Sequence, residues 1–350
     1  MKKRLLIIFL SVLLLLQMPI LSSCTRQKQK FSTYSLDYFD TVTTIIGYAD
    51  SQAEFDGVAN TIIDELGEYH KLFTIYQSFD GTQNLCTVNA LTNGVHSTVT
   101  VDERIVDMLL YAKEMYTLTD GKVNIAMGSV LSIWHDCRQE AISDPSAAKL
   151  PPIELLEAAS GHTDINDLVI DKEACTVTLT DPGMALDVGA IAKGYAVEMA
   201  ARSLEERGIS GYIINVGGNV RAIGPKPDGG KWTAGIEDPE DTTGEYVAYL
   251  ELSSEALVTS GSYQRYYVVN GNKYHHIIDP VTLMPAEGFL SVSVVCSSSA
   301  LGDALSTALF CMTLAEGMAL IASLDGVEAM WVTQDGTKHF SDNFESYIVK

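Results

Sequence analysis

The spacing of apolar residues constrains this fold most, because it changes between two periods along the chain. From Phe55 to Phe73 apolar residues recur at spacings of three and four, which predicts an amphipathic helix over about 54–73. A second series begins after Asp102, an N-cap residue type, and stops before Gly121, so a second helix is expected there. Further helices are predicted at about 189–207, 302–312 and 314–324.

Short runs rich in β-branched and aromatic residues, bounded by Gly, Asp or Asn, are typical of strands. These runs are 177–179, 212–216, 246–252, 266–270, 291–295 and 327–332. Because helices and strands do not alternate strictly, the pattern favours an α+β fold. Residues 36–350 contain no internal repeat and no long polar linker, so we expect a single domain, with 138–166 as an excursion within it.

The N-terminal sequence is typical of a secretory signal. Lys2, Lys3 and Arg4 precede an apolar stretch that ends in Leu21-Ser22-Ser23-Cys24, and this ending is similar to the lipobox of bacterial lipoproteins. The similarity implies cleavage before Cys24 and lipid on Cys24; an uncleaved membrane anchor is the alternative. We therefore expect a signal peptide at 1–23, a lipidated Cys and polar tether at 24–35, and a folded domain at 36–350, extracytoplasmic and anchored to the bacterial membrane by lipid.

Charge excludes one class of partner. Lys plus Arg number 23 against 45 Asp plus Glu, which gives a formal net charge of −22. Nucleic-acid binding needs a basic surface, and no such run exists beyond the N-terminus. An anionic ligand would need a local cation. Besides Cys24, five cysteines are scattered without zinc-like spacing, so buried thiols are expected rather than a disulfide framework.

Two segments could bind a phosphate. In the first, Asp187 precedes small residues and a predicted helix, with Lys193 close by, and free N–H groups at a helix start suit phosphate or a metal–phosphate cluster. The alternative is that Asp187 only caps that helix. In the second, Gly217-Gly218-Asn219 follows a predicted strand, where missing Cβ atoms would admit a ligand or form a hairpin turn.

Two further segments could carry proton or metal chemistry. His275 and His276 should point to opposite faces of a strand, so one of them is expected to face a site, either for proton transfer or in a structural role. Asp303 and Thr307 stand four residues apart, which on a helix places two oxygen ligands for Mg²⁺ on one face. The alternative makes Asp303 a first-turn residue of a capped helix. His135-Asp136-Cys137 is expected to be loop or core.

The order of these segments resembles the ApbE family, the FAD:protein FMN transferases. Trp134, after the run from Asn124 to Leu131, is similar to an earlier block of that family, and the resemblance covers about 39–332. It implies a single ApbE-like, T-fold-like domain. It also implies a lipid-anchored enzyme that transfers FMN from FAD to a threonine hydroxyl and releases AMP. The acceptors would be extracytoplasmic redox proteins, such as subunits of sodium-pumping quinone reductases or Rnf-type complexes.

The resemblance also implies roles for individual residues. Contacts to FAD would come from Val123, Asn124, Asp187, Lys193 and Ile277. Ligands of Mg²⁺ would be the main-chain carbonyl of Ala190 together with Asp303 and Thr307. His276 would be the base that deprotonates the acceptor threonine, and we expect Asp303→Ala to abolish activity while leaving the fold largely intact.

Two positions depart from the family's usual pattern. Leu283 stands where members often carry Gly, and Asn124 stands where many carry Asp. Other functions stay open: a metal-dependent FAD pyrophosphatase, a non-catalytic flavin-binding lipoprotein, or a purely structural surface lipoprotein.

Overall fold

A computed structural model describes residues 28–92, 98–240 and 243–349 of the chain. Its helices are α1 (Gln52–Phe73), α2 (Leu85–Thr92), α3 (Glu103–Leu118), α4 (Gly128–Ser143), α5 (Ile153–Ser160), α6 (Ala192–Glu206), α7 (Ser299–Phe310) and α8 (Leu314–Ala322). Its first seven strands are β1 (Gln29–Ser35), β2 (Thr43–Ala49), β3 (Thr98–Thr100), β4 (Leu168–Asp171), β5 (Thr176–Leu179), β6 (Tyr212–Val216) and β7 (Asn219–Ile223). The remaining strands are β8 (Trp232–Glu237), β9 (Tyr246–Leu252), β10 (Ala256–Gly261), β11 (Tyr266–Val269), β12 (Asn272–His275), β13 (Phe289–Cys296), β14 (Glu328–Thr333) and β15 (Lys338–Phe340).

Eight strands form one sheet in the order β1-β2-β6-β7-β10-β13-β14-β15. Neighbouring strands in this sheet run antiparallel throughout. Smaller sheets are the β8–β9 ribbon, the β11–β12 hairpin and the three strands β3-β5-β4. Helices therefore cover an antiparallel sheet rather than linking parallel strands, which confirms the predicted α+β class.

The large sheet is covered on both faces. On one face α1 and α6 pack their apolar stripes on β2 and β6, as when Phe55 stacks on Tyr212 with ring centroids 6.1 Å apart. Helices α7 and α8 continue this layer over β13 and β14, around the buried Trp331. On the other face the β8–β9 ribbon buries Trp232 and Leu250. Full burial of such apolar side chains stabilises the fold by about 1.5–3 kcal/mol each.

Two peripheral layers complete the domain. Helix α3 packs with the β3-β5-β4 sheet in a core that includes Ile105 and Val177. Helices α4 and α5 pack with the β11–β12 hairpin around Trp134 and Tyr267, whose ring centroids are 6.4 Å apart. The segment 138–166 spans the end of α4 and all of α5, so it is an excursion within one domain, as the sequence predicted.

Most predicted elements are present near their predicted bounds. Helix α1 starts at Gln52 with Ser51 as its N-cap, and Asp102 caps α3 by accepting a hydrogen bond from the Arg104 N–H. The tripeptide His135-Asp136-Cys137 was predicted to be loop or core. It is not a loop, because it lies within α4, and of its three residues only Cys137 is buried.

The predicted tether is shorter than expected. Gln29–Ser35 forms β1, which pairs with β2 along its whole length. Phe31 on this strand packs against Phe55, with ring centroids 5.6 Å apart, and this contact explains why the segment is ordered. The folded domain therefore begins about seven residues before the predicted boundary at 36. Cys24 and the signal segment lie outside the described residues. Within the described part, no helix combines the length and apolar character that crossing a bilayer requires.

Candidate functional site

A single cleft of about 420 Å³ gathers the residues that the sequence singled out. It lies between the start of α6, the β6–β7 turn, the end of β10, the segment after β12, and α7. Nine predicted site residues line it, namely Val123, Asn124, Asp187, Ala190, Lys193, His276, Ile277, Asp303 and Thr307. Tertiary structure thus brings together segments that are up to 184 positions apart, from Val123 to Thr307.

Asp187 lies in a loop before α6 and does not cap that helix. The N-cap of α6 is Ile191, while the Asp187 carboxylate accepts a 2.8 Å hydrogen bond from the Gly189 N–H. The backbone N–H of Asp187 donates to the Ile125 carbonyl at 2.8 Å, which fixes the loop beside the segment before α4. Burial raises the pKa of the Asp187 carboxyl above its ordinary value, and the Gly189 N–H opposes that rise. The helix-cap alternative is therefore excluded.

Val123 and Asn124 shape the wall beside Asp187. Val123 is buried, and its N–H donates to the Thr119 hydroxyl at 3.1 Å. The Asn124 amide donates to the Thr163 carbonyl and accepts from the Ala126 N–H, both at 2.9 Å. An aspartate could accept but not donate, so asparagine at this position links two loops that a carboxylate could not link in this way.

Lys193 enters the cleft from the first turn of α6. Its Nζ donates to the Asn219 Oδ1 and lies 3.4 Å from the Asp303 Oδ1. Burial lowers the pKa of Lys193, whereas the Asp303 carboxylate favours the ammonium form and the Arg265 guanidinium disfavours it. The side chain is held inside the cleft and is only 23% exposed, so burial works against its charge while the Asp303 carboxylate supports it.

Asp303 connects α7 to α6. Its Oδ2 accepts a 2.7 Å hydrogen bond from the Gly194 N–H, and the residue is only 5% exposed. The alternative of a first-turn residue is wrong, because α7 begins at Ser299 with Ser298 as its N-cap. Thr307 lies one turn further along α7, and its hydroxyl is 3.5 Å from the Ser260 hydroxyl.

The oxygen atoms of this corner fit a hard cation better than a transition metal. Within residues 28–92, 98–240 and 243–349, no three His, Cys, Asp or Glu side chains form a metal-binding group. Asp303 and Thr307 offer a carboxylate and a hydroxyl on one face of α7. The Gly194 N–H donates to Asp303 rather than to the carbonyl of Ala190 four residues earlier, and no backbone N–H of the described residues donates to that carbonyl. Such an all-oxygen set, completed by water, is the kind that Mg²⁺ takes.

The two adjacent histidines face different surroundings, as predicted, although only His275 lies in β12 and His276 follows its end. His275 packs edge-on against Phe310, at 5.5 Å between ring centroids, and its Nε2 lies 2.9 Å from the Ala286 carbonyl. His276 lines the cleft, with its Nδ1 3.2 Å from the Arg265 carbonyl. A carbonyl can only accept, so the His276 Nδ1 carries the hydrogen and Nε2 is left with a free lone pair. Burial, reinforced by Arg265 and Arg138, lowers the pKa of His276 to about 3.

The turn after His276 holds Ile277 in place. Ile277 is buried, and its carbonyl accepts from the Ala286 N–H at 2.9 Å. Leu283 has a φ of 59°, in the left-handed region that favours glycine, and its carbonyl accepts from the Trp134 indole at 2.9 Å. The turn thus keeps the left-handed backbone at this position although the residue is not glycine.

Sequence reasoning missed Arg138 and Tyr76, which line the cleft together with Arg265. Tyr76 stacks on His135 at 5.0 Å between ring centroids. Among the six arginines of the described chain, the four that form ion pairs are Arg104, Arg202, Arg207 and Arg221. The other two, Arg138 and Arg265, both face the cleft. In a chain with a net charge of −22, these two guanidiniums bring positive charge into a cleft that Asp40, Asp187 and Asp303 also line.

The loop at the start of α6, the all-oxygen corner and the two guanidiniums of the cleft fit the class of enzyme that acts on a phosphate-bearing substrate. Comparison with known proteins gives the family: residues 34–331 match the model of the ApbE family. The chain belongs to the ApbE family. The match covers nearly the whole described domain, so the single ApbE-like domain predicted from sequence is confirmed.

Relatives and solved structures agree with this assignment. The chain is 30% identical over 270 residues to a FAD:protein FMN transferase of Klebsiella pneumoniae, covering 75% of this chain and 81% of the relative. It is 31% identical over 247 residues to one of Treponema pallidum, covering 68% and 67%. The crystal structure of the ApbE protein from Thermotoga maritima superposes with a TM-score of 0.79 at 28% identity, covering 92% of this chain and all of the other. Like these curated relatives, the chain is a transferase.

Proposed function

We propose that this protein transfers FMN from FAD to a threonine hydroxyl of an acceptor protein and releases AMP. One observation carries the proposal: Asp303 and Thr307, the cation Lys193 and the imidazole His276 all line one cleft. The reaction breaks the bond between the FMN phosphorus and the oxygen that bridges the two phosphates, and AMP leaves with that oxygen. A new phosphoester bond forms between the FMN phosphorus and the threonine oxygen. The threonine proton must leave as that bond forms. The cleft holds residues for both tasks.

The charge on the two phosphates is met by cations in the cleft. Bound Mg²⁺ would neutralise developing negative charge and orient the phosphate oxygens, and Asp303, Thr307 and the carbonyl of Ala190 are the residues that would hold it. Lys193 adds an ammonium beside them, and Arg138 and Arg265 add two guanidiniums. Positioning and charge stabilisation account for most of the catalysis in phosphoryl transfer. Asp187, Val123, Asn124 and Ile277 would contact the rest of FAD.

His276 is the proposed base. Its Nε2 lone pair is free because Nδ1 points to the Arg265 carbonyl. Its lowered pKa keeps it neutral at physiological pH, so it can accept a proton. A diphosphate bound nearby would raise that pKa, since an anion favours the imidazolium. The base would then take the threonine proton as the oxygen attacks phosphorus.

The test is mass spectrometry of an acceptor domain incubated with the mature protein, FAD and Mg²⁺. A mass gain equal to FMN on a threonine, with AMP released in equal amount, is the expected result. Omitting Mg²⁺ should prevent the reaction. An acceptor of unchanged mass with FAD intact would refute the proposal.

The same assay separates the other functions. An FAD pyrophosphatase would give FMN and AMP without any acceptor. A flavin-binding lipoprotein would bind FAD and leave it chemically unchanged. The acceptors that we propose are redox proteins outside the cytoplasm, of the sodium-pumping quinone reductase or Rnf type.

We also propose that the protein is a lipoprotein held at the outer side of the bacterial membrane through Cys24. The support is the Leu-Ser-Ser-Cys ending of the N-terminal apolar run. Residues 1–23 would be removed, the lipidated Cys24 would be followed by a short tether to about residue 28, and the fold would begin at β1. Growth with an alkyne fatty acid should label the wild type, and the label should be lost in Cys24→Ala. Label retained in that variant would place the lipid elsewhere.

A further inference from the structure

Asn219 is buried at the point where the β6–β7 hairpin meets α6 and α7. It is the first residue of β7, directly after the Gly217–Gly218 turn, and it is 0% exposed. Both glycines have positive φ, 52° and 90°, so the turn is a tight two-residue connection. The turn places the Asn219 side chain beneath the cleft rather than in it.

The side chain of Asn219 touches Lys193. Its Oδ1 accepts a hydrogen bond from the Lys193 Nζ, and the same ammonium lies 3.4 Å from the Asp303 Oδ1. These two acceptors come from different elements, β7 and α7, while the lysine comes from α6. Together they fix the ammonium at a junction of three elements, with its remaining donor capacity facing the cleft.

The other end of the Asn219 amide shows that packing alone does not explain this residue. Its Nδ2 is buried and has no hydrogen-bond partner in the part of the chain that the structure describes. A buried donor without a partner is unfavourable, and an apolar residue of the same size would avoid it. The orientation is set by the ammonium, because a lysine cannot donate to an NH₂ group. Asn219 therefore keeps an unfavourable end buried in order to present its oxygen to Lys193.

We propose that Asn219 is a positioning residue that holds the Lys193 ammonium toward the diphosphate of the bound nucleotide. The inference rests on the proposed function, since it assigns Lys193 to the phosphates of FAD. Without the Asn219 oxygen, the flexible lysine side chain keeps only the longer contact to Asp303. Its charge then spends less time where the diphosphate binds.

The test compares FAD with riboflavin, which has the same ring system and lacks both phosphates. Binding of each flavin to the mature protein is measured by fluorescence anisotropy, without acceptor and with a chelator so that no turnover occurs. The ratio of the two affinities reports contacts to the diphosphate and to the adenosine, which riboflavin also lacks, and the comparison in a Lys193→Met background isolates the part that depends on Lys193. We expect Asn219→Leu to lower this ratio about tenfold by weakening FAD binding, with riboflavin binding unchanged.

A double-mutant cycle separates positioning from general damage. Lys193→Met should lower the ratio by at least as much as Asn219→Leu, and Asn219→Leu should cause no further loss in the Lys193→Met background. The matched control is Asn215→Leu, because Asn215 is exposed on the same hairpin and accepts from the Gly218 N–H without touching Lys193. This control should keep the wild-type ratio.

The outcomes are distinguishable. If Asn219→Leu keeps the wild-type ratio, or lowers it equally in the Lys193→Met background, the positioning role is wrong although FAD binding stands. If the wild-type protein binds FAD no better than riboflavin, the proposed function itself fails, and this inference fails with it. If Asn219→Leu does not melt cooperatively, Asn219→Ala takes its place in the cycle, with the same expected ratio.

Discussion

The Gly194 N–H donates a 2.7 Å hydrogen bond to the Asp303 carboxylate, so the first turn of α6 is tied to α7 inside the cleft wall. A second tie runs the other way, since the Ser299 N–H at the start of α7 donates to the Glu198 carboxylate at 2.9 Å. Each helix thus supplies a carboxylate to a backbone N–H in the other's first turn. The proposed metal ligands on α7 and the proposed phosphate site at the start of α6 are therefore held in one register.

Replacing Asp303 should affect both activity and stability, so a stability cost is added to the expectation that Asp303→Ala leaves the fold largely intact. Alanine leaves the buried Gly194 N–H without an acceptor, at a cost of about 1–3 kcal/mol. Asparagine can still accept that bond, so Asp303→Asn should lose less stability. Both variants should lose flavin transfer roughly 10²-fold or more, because the charge that would hold Mg²⁺ is gone.

Urea unfolding and the acceptor assay measure these two effects. Asp56→Asn on the exposed side of α1 is the matched control and should change neither. Full activity of Asp303→Asn would contradict a charged ligand at this position.

Gly194 should not tolerate a side chain. A Cβ there would lie 2.4 Å from both the Asp303 Cβ and the Ser299 carbonyl oxygen, and the second of these atoms is backbone. Gly194→Ala should therefore destabilise the protein by about 1–3 kcal/mol and lower activity by separating α6 from α7.

Gly57→Ala provides the opposite case for the same substitution. Gly57 lies within α1, and a Cβ at this position meets nothing within 4 Å. Alanine is the better helix former, so this variant should gain about 0.5–1 kcal/mol. Equal effects of the two substitutions in urea unfolding would show that the α6–α7 contact is not tight.

The pH dependence of transfer should report the charges around His276. Its pKa is lowered to about 3, first by burial and then by Arg265 and Arg138. Removing a positive neighbour favours the imidazolium, so Arg265→Gln should raise this pKa and protonate the base at higher pH. The acid limb of the kcat/KM profile should then move to higher pH than in the wild type.

Arg207→Gln is the control for this profile, since Arg207 pairs with Glu65 on the protein surface. An acid limb that stays in place in Arg265→Gln would argue against His276 as the base.

The lowered pKa of His276 also affects the stability of the fold. Between about 3 and the ordinary value of 6.5, the unfolded chain binds more protons at this residue, so His276 makes stability fall as pH falls through that window.

Glu198 should be essential for stability. It is 2% exposed, accepts from the Ser299 N–H, and pairs at 3.1 Å with Arg221, which is 4% exposed. Glu198→Gln leaves the buried Arg221 with one fewer anionic partner, and breaking such a buried pair costs about 3–5 kcal/mol. Arg202 also pairs with Glu198 but is exposed, so it provides the comparison. Arg202→Gln should lower the free energy of unfolding by about 1 kcal/mol or less. Thermal melts of the two variants should therefore differ clearly; similar melting temperatures would mean that the buried pair contributes little.

The elements with a strong local period could be predicted from the sequence. Helix α1 was predicted at 54–73 and is observed at Gln52–Phe73, and β6 and β9 have the predicted bounds. Helix α4 was missed, because its apolar stripe is interrupted and Met127 at its N-cap makes no side-chain cap bond. Strand β1 was missed as well, since a polar edge strand resembles a tether until its partner strand is known.

The residues of the site also divide into those that the sequence predicted and those that it did not. The order of short motifs pointed to nine residues that do line one cleft, and His275 and His276 do lie in different environments. Because β12 ends at His275, strand alternation by itself does not account for that difference. Arg138 gave no signal, because one arginine on a helix is ordinarily a solvated side chain. Only the absence of an ion pair, together with its place in the cleft, sets it apart.

What the sequence determined by itself was local: the periods that form helices and strands, the chemical groups available, and the excess of negative charge. What the tertiary structure decided was which of those groups meet. Lys193, Asn219 and Asp303 come from three elements, and their junction exists because α6 and α7 pack side by side on the sheet where the β6–β7 hairpin turns. Hydrogen bonds and charges act over a few ångströms, whereas the residues that share them here lie up to 110 positions apart in the chain, so only packing could bring them within reach.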